Sequence, residues 1–266
     1  MSFIALDYFD LGLTARLVLA LALLTRRLAL GVASGLLVAA LRTVVQLMLV
    51  GLVLKVLFAN VHLAWVLAMA AVMLLAAGRE VMARQKRQFA GPWRYGLGTG
   101  SMFVSSFTVT VFALVAVIGP QPWYAPQYSI PLLGMLLGNT MTSVALALDR
   151  LKESAWEQRR AIEARLSLGE AATAAIGDIR RDCMRVGMLP IINAMAAAGI
   201  VSLPGMMTGQ ILAGAPPLDA VKYQILIMFL ITAGTGFGTI VAVWYGANRL
   251  FDERQRLRLD RLTSRA

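Results

Sequence analysis

The sequence predicts an all-α fold, a polytopic transmembrane helical bundle of about seven spans with the amino terminus outside and the carboxyl terminus inside. Three observations predict it. Of 266 residues, 59% are apolar and only 15% charged; the mean hydropathy is +0.71; and basic residues gather in short clusters between long apolar runs. Soluble domains carry about a quarter charged residues, whereas a bilayer core of about 30 Å needs roughly 20 consecutive apolar residues per helix. The whole chain, 1–266, is expected to form one membrane domain.

The apolar runs place spans near 8–25, 33–58, 61–78, 96–118, 130–148, 190–213 and 221–247. The segment from Met1 to Asp10 carries Asp7 and Asp10 with no basic n-region, and no small-residue cleavage site follows the first apolar run, so the first span reads as a retained helix. The second lies in an apolar stretch from Leu28 to Phe58, about 46 Å as a helix, so its first turns tilt or lie along the interface. Trp93 and Tyr95 lead into the fourth span, Trp123, Tyr124 and Tyr128 fill the connection before the fifth, and Trp244 with Tyr245 closes the last; all sit where interface aromatics belong. Basic residues at Arg26 and Arg27, between Arg79 and Arg94, between Arg150 and Arg185, and after Arg249 mark one side as cytoplasmic.

Two stretches outside the spans carry charge. The cytoplasmic segment 150–188 repeats Ile162, Leu166, Leu168, Ala172 and Ile176 among charged residues. It is amphipathic, and Glu153, Glu157, Glu163, Glu170, Asp178 and Asp182 suit a protein groove better than anionic lipid. The Arg-rich tail 249–266 reads as a cytoplasmic helix or partly disordered end touching lipid headgroups.

Several functions are excluded. The net charge of +11 is spent on topology clusters, so no nucleic-acid partner is expected. None of Lys55, Lys86, Lys152 and Lys222 follows a glycine, so the chain has no phosphate loop and no ATPase site of its own. His62 stands alone at a helix boundary, no catalytic motif is present, and no catalytic residue is assigned. Cys183 is the one cysteine and can form no internal disulfide. An ion-coupled secondary transporter would need an intramembrane carboxylate, and Asp149 at an inner end is the nearest candidate.

Polar residues within the spans are the candidates for a transport path. Arg42 and Gln46 share one face of the second span. Gly134-Met135-Leu136-Leu137-Gly138-Asn139 in the fifth span and Gly205-Met206-Met207-Thr208-Gly209-Gln210 in the sixth repeat a G-M-x-x-G-amide pattern, a weak inverted echo. Asn139, Thr140, Thr142, Asn193, Met206, Met207, Thr208 and Gln210 form the candidate path. Packing and cargo contact both remain open for Asn139 and Gln210. Pro204 before Gly205 predicts a break in the sixth span that frees the Ile200 carbonyl, for side chains or for a cation to satisfy. The G-x-G-x-G runs at 96–100 and 234–238 predict close helix packing.

Glu163-Ala164-Arg165-Leu166-Ser167-Leu168-Gly169 partly resembles the E-A-A-x-x-x-G loop of ABC importer permeases, with Arg165 where that loop has its second alanine. Closer is the resemblance over nearly the whole chain to the FetB family of iron-export ABC permeases, which is similar also to plant aluminium-tolerance permeases. It is carried by Arg42-Thr43-Val44-Val45-Gln46-Leu47, the run from Pro131 to Asn139, Ile191-Ile192-Asn193-Ala194-Met195, the run from Val201 to Gly214, and Tyr223-Gln224. The resemblance implies a permease in the bacterial inner membrane, two copies paired with two copies of a separate ABC ATPase that holds ATP and Mg, exporting iron by alternating access. It implies that Glu163, Arg165, Leu166, Ser167, Leu168, Gly169 and Glu170 couple the two subunits. No cofactor is expected on this chain and its metal ligands are unknown; another metal, a chelate or a sugar nucleotide stays open as cargo.

Overall fold

The computed structural model describes residues 7–264, without the side chains of Tyr8 and Ser264. Residues 1–6 of the amino-terminal segment and 265–266 of the tail lie outside the described residues. The chain divides into two compact units, 1–62 with 212–214, and the remainder.

In the smaller unit α1 (Tyr8–Arg27) packs on α2 (Ala33–Ala59), with Gly31 in the left-handed region at φ +71° in the turn between them. α2 is apolar around most of its circumference, the pattern of a helix built for lipid or for a larger apolar core. Arg42 and Gln46 are exposed on it.

The larger unit begins with α3 (Leu63–Ala83), β1 (Arg87–Phe89) and α4 (Trp93–Met102). α4 runs on through a π-helical stretch, Phe103–Phe107, then α5 (Thr108–Phe112) and a second π-helical stretch, Ala113–Ile118. Next come α6 (Pro126–Glu157), α7 (Arg159–Ser167), α8 (Ala172–Ala175) and α9 (Gly177–Ala197). α10 (Gly205–Leu212), all but its last residue, α11 (Pro217–Arg249) and β2 (Leu262–Ser264) complete it. Five helical stretches are long and apolar enough to cross a membrane: α2, α3, Trp93–Ile118, α6 and α11.

α6 is the centre of the larger unit. At 32 residues it is about 48 Å long, well beyond a bilayer core, so its charged last turns continue the fifth predicted span into the segment expected to be cytoplasmic. It buries Leu133, Leu136, Leu137, Thr140, Val144, Ala147, Leu148 and Leu151 at helical spacing, and packs against α3, α9 and α11. Small residues permit the approach. A Cβ on Gly187 of α9 would lie 2.7 Å from Thr239 and 2.8 Å from Ala147, and one on Gly238 of α11 would lie 2.5 Å from Thr140. The packing expected of the glycine runs holds for Gly98, Gly234 and Gly238, whereas Gly96 and Gly100 face open space.

Two sequence expectations are corrected. The run 190–213 is not one span: α9 ends at Ala197, residues 198–204 turn, and α10 restarts at Gly205. Pro204 therefore does not kink a continuous helix; its carbonyl is the first acceptor of α10, 3.1 Å from Thr208 N. The described part of the tail, 250–264, is also neither an α-helix nor a disordered end. Phe251 bridges Leu257, and β2 pairs antiparallel with β1 in the register Arg87↔Ser264, Gln88↔Thr263, Phe89↔Leu262. Leu250 is fully buried, and the Arg261 guanidinium donates to the carbonyls of Arg249 and Phe251 at 2.9 and 3.0 Å. The tail is a strap across the charged end of the bundle.

Candidate functional site

The segment between α6 and α9 folds into a tight turn whose shape follows from a few residues. Ile162, Ala172, Ala175 and Ile176 are buried and anchor it to the bundle. α7 ends in a Schellman motif: Gly169 N bonds Leu166 O at 3.0 Å and Glu170 N bonds Arg165 O at 3.2 Å, with Gly169 at φ +87°. This geometry pushes Leu168 out of the apolar row that the sequence assigned it. Leu168 is 89% exposed at the tip, while Leu166 stays half-buried.

Arg165 locks the turn from inside. Its Nε and Nη2 donate to the two carboxylate oxygens of Glu170 at 2.5 and 2.6 Å, and Nη1 reaches Ala175 O at 3.2 Å and Asp178 Oδ2 at 3.3 Å. A fork of this kind matches a carboxylate as a lysine cannot. Its hydrogen bonds hold the Glu170 carboxyl below the ordinary carboxylate range and raise Arg165 further. Arg165, the departure from the importer pattern, is thus a brace within the turn. Glu163 is exposed and its carbonyl accepts from Ser167 Oγ at 2.9 Å.

The strap borders the same surface. Gln255 Oε1 accepts from Ala172 N at 2.8 Å, and Asp252 accepts from Arg254 N and Arg256 N at 3.0 and 2.9 Å, closing the strap's own turn. Between turn and strap lies a cavity of about 750 Å³, lined by Glu163, Leu166 and Glu170 on one side and Glu253, Gln255 and Leu257 on the other. Behind it, Lys152 of α6 is fully buried, donates to Gln85 Oε1, and lies 5.4 Å from the Phe89 ring centroid. Lys86 N donates to Asp149 Oδ1 at 2.7 Å, and the Arg87 guanidinium stacks 4.0 Å from the Trp156 ring centroid.

The candidate path residues are not gathered in one place. Asn139 is exposed and donates to Met135 O of its own helix at 2.8 Å. Thr140 is buried, 3.5 Å from Ser106 Oγ, and Thr142 bonds Gly138 O. Asn193 is exposed on α9; Met206 packs on the core around Leu132 and Leu136. Thr208 bonds Pro204 O, and Gln210 Oε1 is buried without a hydrogen bond, so no bond joins it to Asn139. Arg42 and Gln46 belong to the smaller unit.

Met207 does line a cavity, of about 490 Å³, where the break at 198–204 faces α11. With it are Met195, Met228, Phe229 and Gln224, whose Oε1 is buried and makes no hydrogen bond. Met195 and Gln224 stand in the motifs Ile191–Met195 and Tyr223-Gln224, yet nothing local to either marks it as a cavity residue. Among the described residues no three His, Cys, Asp or Glu side chains converge as a metal site would need.

Residues 8–251 match the uncharacterised protein family UPF0014. A UPF0014 membrane protein of Synechocystis is 39% identical over 96% of this chain and 97% of its own. The probable iron export permease protein FetB of Escherichia coli is 30% identical over 81% of each chain. The protein ALUMINUM SENSITIVE 3 of Arabidopsis thaliana is 28% identical over 76% of this chain and 72% of its own. No solved structure matches. With long apolar helices in place and the family match spanning nearly all of the described residues, this multi-pass membrane protein belongs to the UPF0014 family.

Proposed function

We propose that this chain is the membrane-spanning permease of an ATP-driven ABC exporter of the bacterial inner membrane, assembled as two copies with two copies of a separate ATPase, with iron the cargo. The observation that carries the reading is the turn after α7: a leucine 89% exposed at the tip of a rigidly braced helix end. An apolar side chain held out from a charged surface is made for a protein groove. The iron assignment is supported by the name of the Escherichia coli relative.

Both units of the chain make up one permease domain. ATP and Mg bind the partner, and closure of its dimer pushes on the turn from Glu163 to Glu170. Arg165 is a positioning residue: by fixing Glu170, Ala175 and Asp178 to α7 it lets the turn move with the start of α9 as one body. That displacement reaches α6 and α11 through the glycine contacts at Gly187 and Gly238. The ATP-bound partner favours one of two arrangements of the helices, and hydrolysis restores the other.

The test is co-reconstitution in liposomes with the candidate ATPase, titrating ferrous iron, other divalent metals and sugar nucleotides while hydrolysis is followed. Stimulation by iron, free or chelated, and by no other metal or sugar nucleotide, is the expected result. A stable complex that ignores iron removes the cargo assignment, and no complex removes the ATPase coupling.

A further inference from the structure

Non-helical backbone at membrane depth persists only where protein covers it or where it lines a cavity. α9 leaves its charged first half after Arg185, and residues 186–197 advance about 18 Å at 1.5 Å per residue, past the midpoint of a bilayer core of about 30 Å. The break at 198–204 therefore falls within the apolar layer. Ala198, Gly199, Leu203 and Pro204 form one wall of the cavity of about 490 Å³, and the first turns of α11 form the other.

We infer that this cavity binds the organic body of the cargo, an aromatic molecule of a few hundred daltons carrying an N–H or O–H donor. The inference deepens the transport reading and rests on it. The volume lies in the range of small-molecule sites and far exceeds what one ion fills. Met195, Met207 and Met228 are unbranched thioethers that mould to flat rings and favour them, and Phe229 adds an aromatic face. Thr232 Oγ1 lies 2.8 Å from Met195 Sδ and 2.7 Å from Met228 O, which orients Met195.

The polar handle is Gln224. It is 8% exposed, and its Oε1 has no hydrogen-bond partner. A buried acceptor left unpaired is costly, and a donor on the ligand satisfies it. No charged side chain lines the cavity, so the occupant is neutral or spreads its charge over a ring system. Soft thioethers and one amide do not match the hard oxygen and nitrogen donors of an iron cation. Through this cavity the cargo passes as an organic molecule or chelate, with the metal, if any, inside it.

The probe is rhodamine 6G, an aromatic cation with N–H donors, titrated by fluorescence anisotropy against the full chain in nanodiscs without any ATPase, with empty nanodiscs as reference. Saturable binding is expected, weakened about 3- to 10-fold by Gln224→Met, which keeps the side-chain length and removes the acceptor. Ala198→Phe, which fills the cavity, is expected to abolish it, and Phe237→Ala on an exposed part of α11 to leave it unchanged. Binding no different from empty nanodiscs, or unaffected by Gln224→Met, overturns the inference. High-yield disulfide formation between two Ala198→Cys copies also overturns it, because a second copy would then cover the cavity. Loss of dye binding alongside intact ATPase coupling removes this inference alone; dye binding with no ATPase partner removes the coupling.

Discussion

The two ends of the larger unit are built on opposite principles. At the end where α6, α7 and α9 meet the strap, most polar groups are paired: Arg165 with Glu170 and Asp178, Lys152 with Gln85, Asp149 with Lys86 N, and Gln255 with Ala172 N, while Arg87, whose Nε is buried without a hydrogen bond, stacks on Trp156. At the other end the helix is interrupted, Ile200 and Val201 are 89% and 83% exposed, and Gln210 and Gln224 carry unpaired buried oxygens. Paired polar networks resist deformation, and a broken helix with open acceptors can change partners. The transport proposed above, a push at one end that changes a cargo site at the other, would need that inequality.

The largest expected effect tests the inequality directly. Leu250 is fully buried, so Leu250→Ala should cost about 2–4 kcal/mol in thermal unfolding of the detergent-solubilised chain. Ile200→Ala should cost under about 0.5 kcal/mol; equal losses would break the comparison. Next, Gly169→Ala puts a Cβ at φ +87° with nothing within 4 Å, so the cost is backbone strain alone, about 1–2 kcal/mol, read as faster amide exchange in the turn.

Arg165→Ala should speed exchange of the Gly169 and Glu170 amides by a few-fold, and Arg165→Lys should restore little of it because the fork is lost. The smallest effect is the pH response. Glu170 titrates below its ordinary value in the folded turn because of the Arg165 hydrogen bonds, so its contribution is present above the unfolded carboxyl value of about 4.3 and lost as pH falls through the folded value. Exchange protection of the turn should be level from pH 8 to about pH 5 and fall below about pH 4, and Arg165→Ala should remove that dependence.

Apolar run length made the long helices legible, because a bilayer core demands predominantly apolar residues over the length of a span. It resolved the sixth span only in part: 190–213 is uncharged and mostly apolar, and Pro204-Gly205 marks the break, but composition does not show that the helix stops at Ala197 and turns at Gly199 before restarting. The strap was hidden for a different reason. Its order comes from pairing with Arg87–Phe89, far away in sequence, while locally Arg249 to Ala266 reads as solvated charge. In the turn, exposure of Glu163 follows from its charge, yet the outward position of Leu168 and the partnership of Arg165 with Glu170 both need the reversal at Gly169. Gln224 stands in the Tyr223-Gln224 motif with nothing local to mark it, because only the break opposite it makes its amide matter.

The most direct measurement is site-specific crosslinking. Cys183 is fully buried, so Leu168→Cys presents the one accessible thiol among the described residues, and it can be coupled through a short bifunctional reagent to the candidate ATPase in the reconstituted complex. One crosslinked species of permease plus ATPase, with a yield that changes when ATP is added and with none formed from Ile200→Cys, is the expected result. No adduct from Leu168→Cys, or equal adducts from both positions, would contradict an ATPase-coupled permease that is driven through this turn.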